Sequence, residues 1–390
     1  MATTNDANSD TGDAVRLPST TRYWKFVRRP AGTEEASESC WAVHERELPL
    51  PLAPDTILVR SVFVSVDPYL RIQMSTDDTW TTPAAENETQ LSFAVARVLA
   101  STSAAIAVGQ AVRTYTGWCE YAVLPASAAT VIPAEPRIAL EHYLGALGMV
   151  GRTSWWGVEH TLRPKAGETV VVSGAAGAVG SLVVQLCKRR GARVVGIAGS
   201  DAKVRYVRDE LGADVVLNYR SDPLSWSHLD ALRAACPNGT DANRTRILTH
   251  TQASYSLTHS LASVGIDCYW DNTGGDATDA VFRLLNVHAR VAICGQIAVY
   301  SSGLNSDQPA IGPRLLHLLI YKRALVEGIL QRDATPEVDA LHQREATEWL
   351  LDHDHPLVDR FTIRQGFENI PATFVAMMRG DNLGKMLAQV

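Results

Sequence analysis

The chain is expected to be an α/β protein, with a doubly wound parallel sheet in the middle and a β-rich domain supplied by both ends. Three observations predict this. Residues 22–135 read as short β-rich segments separated by Pro, Gly and Asp clusters. From about Gly151 to Gln331, apolar strand patterns alternate with helical ones, the signature of a parallel sheet covered on both faces. The last fifty or so residues change character again, with a strand at Phe361–Ile363, a helix over 367–378 and a closing strand at Lys385–Val390. These are expected to return to the first domain. The expected division is therefore 21–150 with 350–390 as one domain and 151–349 as the other, after a disordered tail at 1–20.

In the first domain the strands are expected at Ile57–Val66, Val95–Leu99 and Tyr121–Leu124. The central domain opens with the most informative run of the chain, Thr169-Val-Val-Val-Ser-Gly-Ala-Ala-Gly-Ala-Val-Gly180. An apolar strand there enters a glycine-rich turn that starts a helix over 178–190, which is how a chain holds a dinucleotide. Gly177 lets the backbone approach a pyrophosphate, Gly180 lets the helix pack on its strand, and the helix N-terminus, at Ala178 and Val179, offers N–H groups and a positive dipole end. Ala175 stands where the full fingerprint has its first glycine.

A second strand, Arg193–Ala198, ends in Gly199-Ser-Asp-Ala-Lys203, near the position where such folds read the ribose. Gly199 and Ser200 leave room there, Lys203 can neutralise a 2′-phosphate, and Tyr219, after the third strand at 215–219, can close over it. This favours NADP over NAD. Asp201 points the other way, since it can hydrogen-bond a free ribose; it can also simply cap a helix over 202–211, with Lys203 a solvated charge. Later strands are expected at Cys268–Asp271, Arg290–Gly295 and Ala324–Leu330.

The net charge of −6 and a pI near 6.0 argue against nucleic acid or an anionic membrane as the main partner. Nothing near 18 uninterrupted apolar residues occurs, and residues 1–20 show neither a signal-peptide h-region nor an arginine-rich amphipathic pattern, so a cytoplasmic protein is expected. The cysteines Cys40, Cys119, Cys187, Cys236, Cys268 and Cys294 are widely spread without C-x-x-C spacing, which fits a reducing compartment. His44, His142 and His160 sit in no ligand spacing and read as ordinary polar or core histidines.

Several blocks in order are similar to one family. They are Ser65-Val-Asp-Pro-Tyr-Leu-Arg71, Leu147-Gly-Met-Val-Gly-Arg-Thr153, Gly174–Ser181, Val195–Lys203, Asp271-Asn-Thr-Gly-Gly275, Ile293–Tyr300 and Gly380-Asp-Asn-Leu-Gly-Lys385. Together they resemble the zinc-independent medium-chain dehydrogenase/reductases, in the branch of prostaglandin reductases, leukotriene hydroxydehydrogenases and 2-alkenal reductases. The resemblance implies a GroES-like catalytic domain beside a Rossmann domain, and NADPH-dependent reduction of the C=C bond of an enone or enal. Hydride goes to the β-carbon and the enolate is held until its α-carbon is protonated. Donors aimed at the enolate oxygen and a dry cleft serve that chemistry. No metal is implied, and where zinc relatives carry a ligand cysteine this chain has Val66-Asp-Pro-Tyr69. A homodimer through the Rossmann domain is implied as well.

Carried over residue by residue, Tyr300 is the first candidate for chemistry, steadying the enolate or relaying a proton; otherwise it is a tyrosine packed at a strand end. Tyr69 lines the same cleft or is a core aromatic, and Asp67 can serve its turn alone. The resemblance places Met149 and Thr153 near the nicotinamide, Gly177 to Val179 at the pyrophosphate, Lys203 and Tyr219 at the adenosine phosphate, and Asn272, Cys294 and Asn382 near the ribose and carboxamide. Thr153 can instead cap a helix, Cys294 fill the core, and Asn382 make a turn with Gly380 and Gly384. Two stretches depart from the family pattern. Roughly twenty to thirty extra residues lie between Tyr219 and Asp267, most plausibly over 236–263, and the loop 301–313, bordering the substrate cleft, has its own sequence. A quinone oxidoreductase and a non-catalytic NADPH-binding protein are the rival readings.

Overall fold

Strand Thr169–Ser173, with three valines at its centre, is buried along its whole length. A strand with no polar face needs a neighbour on each edge and a layer on each face. The computed structural model supplies both, and describes residues 17–76, 79–237, 265–301 and 312–390. Six parallel strands form one sheet in the order Val215–Asn218, Arg193–Ala198, Thr169–Ser173, Ile266–Asp271, Leu285–Ile293 and Leu325–Gly328. Numbered along the chain, the order is 3-2-1-4-5-6, that of the Rossmann fold. The order reverses between Thr169–Ser173 and Ile266–Asp271, so a crevice opens at their carboxyl ends, where Gly174 and Asn272 lie side by side.

Helix Ala178–Arg189 packs its buried face, with Leu182, Val183 and Leu186, against this sheet and against helix Met149–Trp156. The helix after the second strand starts at Asp201 rather than Ala202. Its cap is Ser200, whose hydroxyl accepts from the Lys203 amide at 3.3 Å, so Asp201 is not the cap. Beyond Arg205 it widens into π-type turns through Glu210. The C-terminal helix likewise divides into a short 3₁₀ turn, Phe367–Asn369, and a regular helix, Ile370–Met378, because Pro371 fits the first helical turn and not its interior.

The β-rich part holds two sheets. Thr20–Phe26 lies between Trp41–Glu47 and Glu88–Thr89, so the last residue of the expected tail, Thr20, belongs to a strand. Residues 1–16 of that tail lie outside the described residues. The larger sheet is built on Thr56–Ser65, which pairs with Ala94–Ser101, Tyr121–Pro125 and the terminal strand Lys385–Gln389. Lys385–Gln389 also pairs with Phe361–Gln365. Its end thus closes the sheet begun more than 300 residues earlier.

Two buried contacts lock that closure. The Lys385 ammonium is almost wholly buried, 3.0 Å from Asp67 Oδ1, and donates to the carbonyls of Val66 at 2.8 Å and Met386 at 3.1 Å. Ser65 Oγ donates to the other Asp67 oxygen at 2.5 Å. Every donor of the ammonium is used, which is what makes a buried charge tolerable. Where the chain crosses between the two parts, Asp359 Oδ2 accepts from the Ala146 amide at 2.7 Å and lies 2.9 Å from His142 Nδ1, holding both crossings together.

Candidate active site

The glycine turn has the shape of a phosphate cradle, with one shift in the expected roles. Gly174, not residue 175, takes the left-handed backbone at φ +59°. Ala175 is fully buried, its amide bonded to Ile197 O at 3.0 Å, so a methyl group fits where the fingerprint has its first glycine. Gly180 allows no side chain, because a Cβ there would lie 2.2 Å from the Gly174 carbonyl oxygen. At Gly177 the only atom near such a Cβ is that same oxygen, at 3.3 Å, so its outer side is open. Gly177 precedes the helix without a side-chain cap, leaving the N–H groups of Ala178, Val179 and Gly180 to an anion from outside. Val179, Ala178 and Met149 pack together where helices 149–156 and 178–189 meet. The Thr153 hydroxyl turns inward to Met149 O at 2.8 Å and caps nothing.

The C-terminal segment closes this turn from the other side. The Gly384 amide donates to Ala176 O at 2.8 Å, and Gly384 itself, at φ +67°, permits no Cβ because Arg360 O would lie 2.0 Å away. Asn382 Nδ2 donates to Gly384 O at 2.7 Å, so its amide shapes this turn. Lys203 reaches over to donate to Gly380 O at 2.7 Å. Burial, with Arg220 nearby, lowers the Lys203 pKa below the ordinary lysine value. Tyr219 lies across Gly199, where any Cβ would meet the phenol oxygen at 2.7 Å. Asp201 Oδ1 accepts from Asn218 Nδ2 at 2.7 Å. Ser200, Lys203 and Tyr219 are thus brought together at the end of the second strand.

At the carboxyl end of strand Ile266–Asp271 the organising residue is Asp271, which the local pattern does not single out. Its buried carboxylate accepts from Ser173 Oγ, Tyr269 Oη and the amides of Thr273 and Gly274 on one oxygen, at 2.9 to 3.1 Å. The other oxygen accepts from Thr278 Oγ1 at 2.6 Å and Gln296 Nε2 at 3.2 Å. Asn272 is committed to the same strand ends, donating to Ser173 O at 2.7 Å and accepting from Trp270 Nε1 at 3.0 Å. The only legible signal for Asp271 was its place at a strand end ahead of Gly274 and Gly275. Burial and Asp271 push the Cys294 thiol up to about 12, so it is a neutral, partly buried group packed on the core.

Tyr300 follows the short turn Ile297–Val299 beyond the fifth strand. Its hydroxyl oxygen accepts from the Gln296 amide at 3.1 Å, and burial raises its pKa above the ordinary tyrosine value. The phenol is therefore neutral at physiological pH. The oxygen accepts that bond, and the proton has no acceptor among the described residues. Tyr69 starts the helix Tyr69–Gln73. Its hydroxyl is buried without a hydrogen-bond partner among the described residues, and desolvation raises its pKa well above the usual range.

The histidines have separate partners: His44 faces Tyr23 at 6.0 Å, His142 meets Asp359, and His160 stacks on Trp156 at 3.6 Å. Among the described residues no group of three or more His, Cys, Asp or Glu could hold a metal ion. The segment 238–264 and the loop 302–311 lie outside the described residues, and most of the two stretches that depart from the family pattern falls there.

Comparison with known proteins agrees with the geometry. Residues 22–132 match the family described as the N-terminal domain of oxidoreductase, and residues 178–341 the family described as zinc-binding dehydrogenase. Mouse prostaglandin reductase 1 is 33% identical over 88% of this chain and 92% of its own. The NADPH-dependent curcumin reductase of Escherichia coli is 30% identical over 95% and 96%. CurA from Vibrio vulnificus, solved in complex with NADPH, superposes with a TM-score of 0.79 at 31% identity, covering 95% of this chain and 99% of that one.

Proposed function

This chain belongs to the zinc-independent medium-chain dehydrogenase/reductases of the prostaglandin reductase branch, and from that premise we propose that it is an NADPH-dependent ene-reductase acting on α,β-unsaturated ketones or aldehydes. NADPH, when bound, supplies the hydride. The residues present fit it: the open face of Gly177, the uncapped amides of Ala178 to Gly180, and the Ser200, Lys203 and Tyr219 group for the 2′-phosphate. The Rossmann unit, on this reading, is 151–349, and 21–150 with 350–390 is the catalytic domain facing it. The compartment that suits such chemistry is the cytoplasm.

The observation that carries the proposal is the Tyr300 hydroxyl. It accepts from a backbone amide, stays protonated and has a proton with no acceptor among the described residues. Such a group stabilises an oxygen on which negative charge develops as hydride reaches the β-carbon, without needing to ionise. The six hydrogen bonds of Asp271 hold the loops around it in place, so the donor is oriented before the substrate arrives. Tyr300→Phe is expected to lower kcat by about tenfold with the Kd for NADPH unchanged. Unaltered turnover would leave Tyr300 a packing residue. Product mass spectrometry across an enal, a cyclic enone and a naphthoquinone tests the reaction itself, since turnover of the quinone alone would make the chain a quinone oxidoreductase.

The proposal extends to a homodimer. Strand Leu325–Gly328 is the sheet edge and all four of its residues are exposed, beside Leu316, Ile320 and Tyr321, which are about 70% exposed on the preceding helix. An open edge flanked by apolar side chains is completed by a two-fold copy of itself. Light scattering should give twice the 42.4 kDa chain mass. A mass of one chain at micromolar concentration would remove this part of the reading.

A further inference from the structure

The end of the second strand holds both kinds of residue that read a ribose. Asp201 stands where a carboxylate accepts from the 2′-hydroxyl of NAD, and Lys203, in the same turn of helix, suits the 2′-phosphate of NADP. A free carboxylate beside a phosphate would repel it. Asp201 is exposed to solvent but its carboxylate is not free. Its Oδ1 accepts from Asn218 Nδ2 at 2.7 Å, a short, charge-assisted bond that reaches across to the end of the third strand.

Asn218 Oδ1 meanwhile accepts from the Arg220 amide at 3.1 Å, so both ends of the side-chain amide are used. The two partners fix which way round that amide lies, since only its NH₂ can face a carboxylate and only its oxygen a backbone N–H. An aspartate in its place would set two carboxylates face to face, and an apolar residue would leave both partners unmet. Tyr219 sits between the two bonds, its amide donating to Ala198 O at 3.1 Å and its phenol lying over Gly199. Arg220, directed by the same turn, is close enough to Lys203 for the two cations to repel, while Asp381 attracts the lysine. One side chain thus engages the acid of the site and shapes the turn that carries the second cation.

Resting on the NADPH reading of this site, we propose that Asn218 is a specificity-determining residue: by holding the Asp201 carboxylate it takes an acid suited to NAD out of the ribose site and leaves the 2′-phosphate to Lys203 and Arg220. Asn218 is a positioning residue here, because it acts through Asp201 and not on the cofactor. Discrimination then comes from disarming the group that favours the wrong cofactor as well as from supplying one that favours the right cofactor.

The test is calorimetric binding of NADP⁺ and NAD⁺, which differ only in the 2′-phosphate, so turnover plays no part in it. Wild type should bind NADP⁺ more tightly by about tenfold or more. Asn218→Ala should weaken NADP⁺ about tenfold and tighten NAD⁺ about twofold, since the released carboxylate repels the one and accepts from the other. Asp201→Ala should leave NADP⁺ within about twofold of wild type, and in the double variant should restore most of the affinity that Asn218→Ala loses. A loss that persists in the double variant means that Asn218 serves only the turn, and overturns the proposal. Asn218→Asp keeps the shape and the acceptor for the Arg220 amide and changes only the face toward Asp201; it should weaken NADP⁺ about thirtyfold, and it decides the matter where circular dichroism shows the alanine variant unfolded. Wild-type affinity for NADP⁺ in Asn218→Asp overturns the proposal as well. A wild type that binds both cofactors equally removes the NADPH reading and this inference together, whereas a wild type that discriminates beside variants that match it removes the inference alone.

Discussion

The glycine turn and the wall of rings and arginines around Tyr69 and Trp80 are built in contrasting ways. In the turn, the critical contacts are between backbone atoms a few residues apart, and each glycine is required by sterics: Gly174 by its positive φ, Gly180 by the 2.2 Å approach to Gly174 O. The wall is assembled from residues 69, 80, 113, 115, 152 and 332, and among the described residues it keeps polar atoms without partners at Tyr69 Oη and Arg152 Nε. A region fixed by local sterics tolerates almost no change and serves a ligand that does not vary. A region assembled at long range with unsatisfied groups can change its side chains at little cost to the fold.

Three substitutions would break or sharpen that contrast. The largest effect is expected for Gly180→Ala, since its methyl would press on backbone and not on a side chain that can move. NADPH affinity should fall on the order of 100-fold, measured by fluorescence titration on protein whose circular dichroism shows it folded. Near-normal affinity would mean the turn is more plastic than its contacts imply. Next comes Lys203→Ala, which should raise the KM for NADPH by about tenfold and leave that for NADH within about twofold, because only the former carries the 2′-phosphate. Equal shifts with both cofactors would reduce Lys203 to the strut that holds Gly380.

The smallest is Tyr69→Phe. Removing a buried hydroxyl with no hydrogen-bond partner among the described residues should leave the stability unchanged or raise it by about 1 kcal/mol at most, while the KM for an enone rises about threefold. A clear loss of stability would show that the hydroxyl has a structural partner and that the wall is less free than it looks.

The same contrast explains what could be read beforehand. The six central strands and the helices after the first two announce themselves by local pattern. Gly177 and Gly180 are recognisable from spacing alone. The helix cap was legible only to within one residue, since Ser200 and Asp201 are both good caps and the choice of Ser200 leaves Asp201 to meet Asn218. Asp271 escaped notice because one carboxylate at a strand end says nothing about six donors gathered from elsewhere. Asp67 looked like a turn residue, and it became half of a buried ion pair only when Lys385 arrived beside it. Removing one partner of that pair would strand a charge inside the protein, at a cost of about 3–5 kcal/mol.

By itself the sequence determined the order of strands and helices, the phosphate-binding turn and the family, because these depend on periodicity and on side chains that are absent or small within a dozen residues. Only the tertiary structure decided which polar groups meet: Lys203 with Gly380, Lys385 with Asp67, Arg332 with Trp80, and Asp271 with its donors. The widest of those pairings, Lys385 with Asp67, joins segments 318 positions apart. No local preference encodes them, since they arise when burial of the two sheets' apolar faces brings distant chain together and forces each buried polar atom to find a partner.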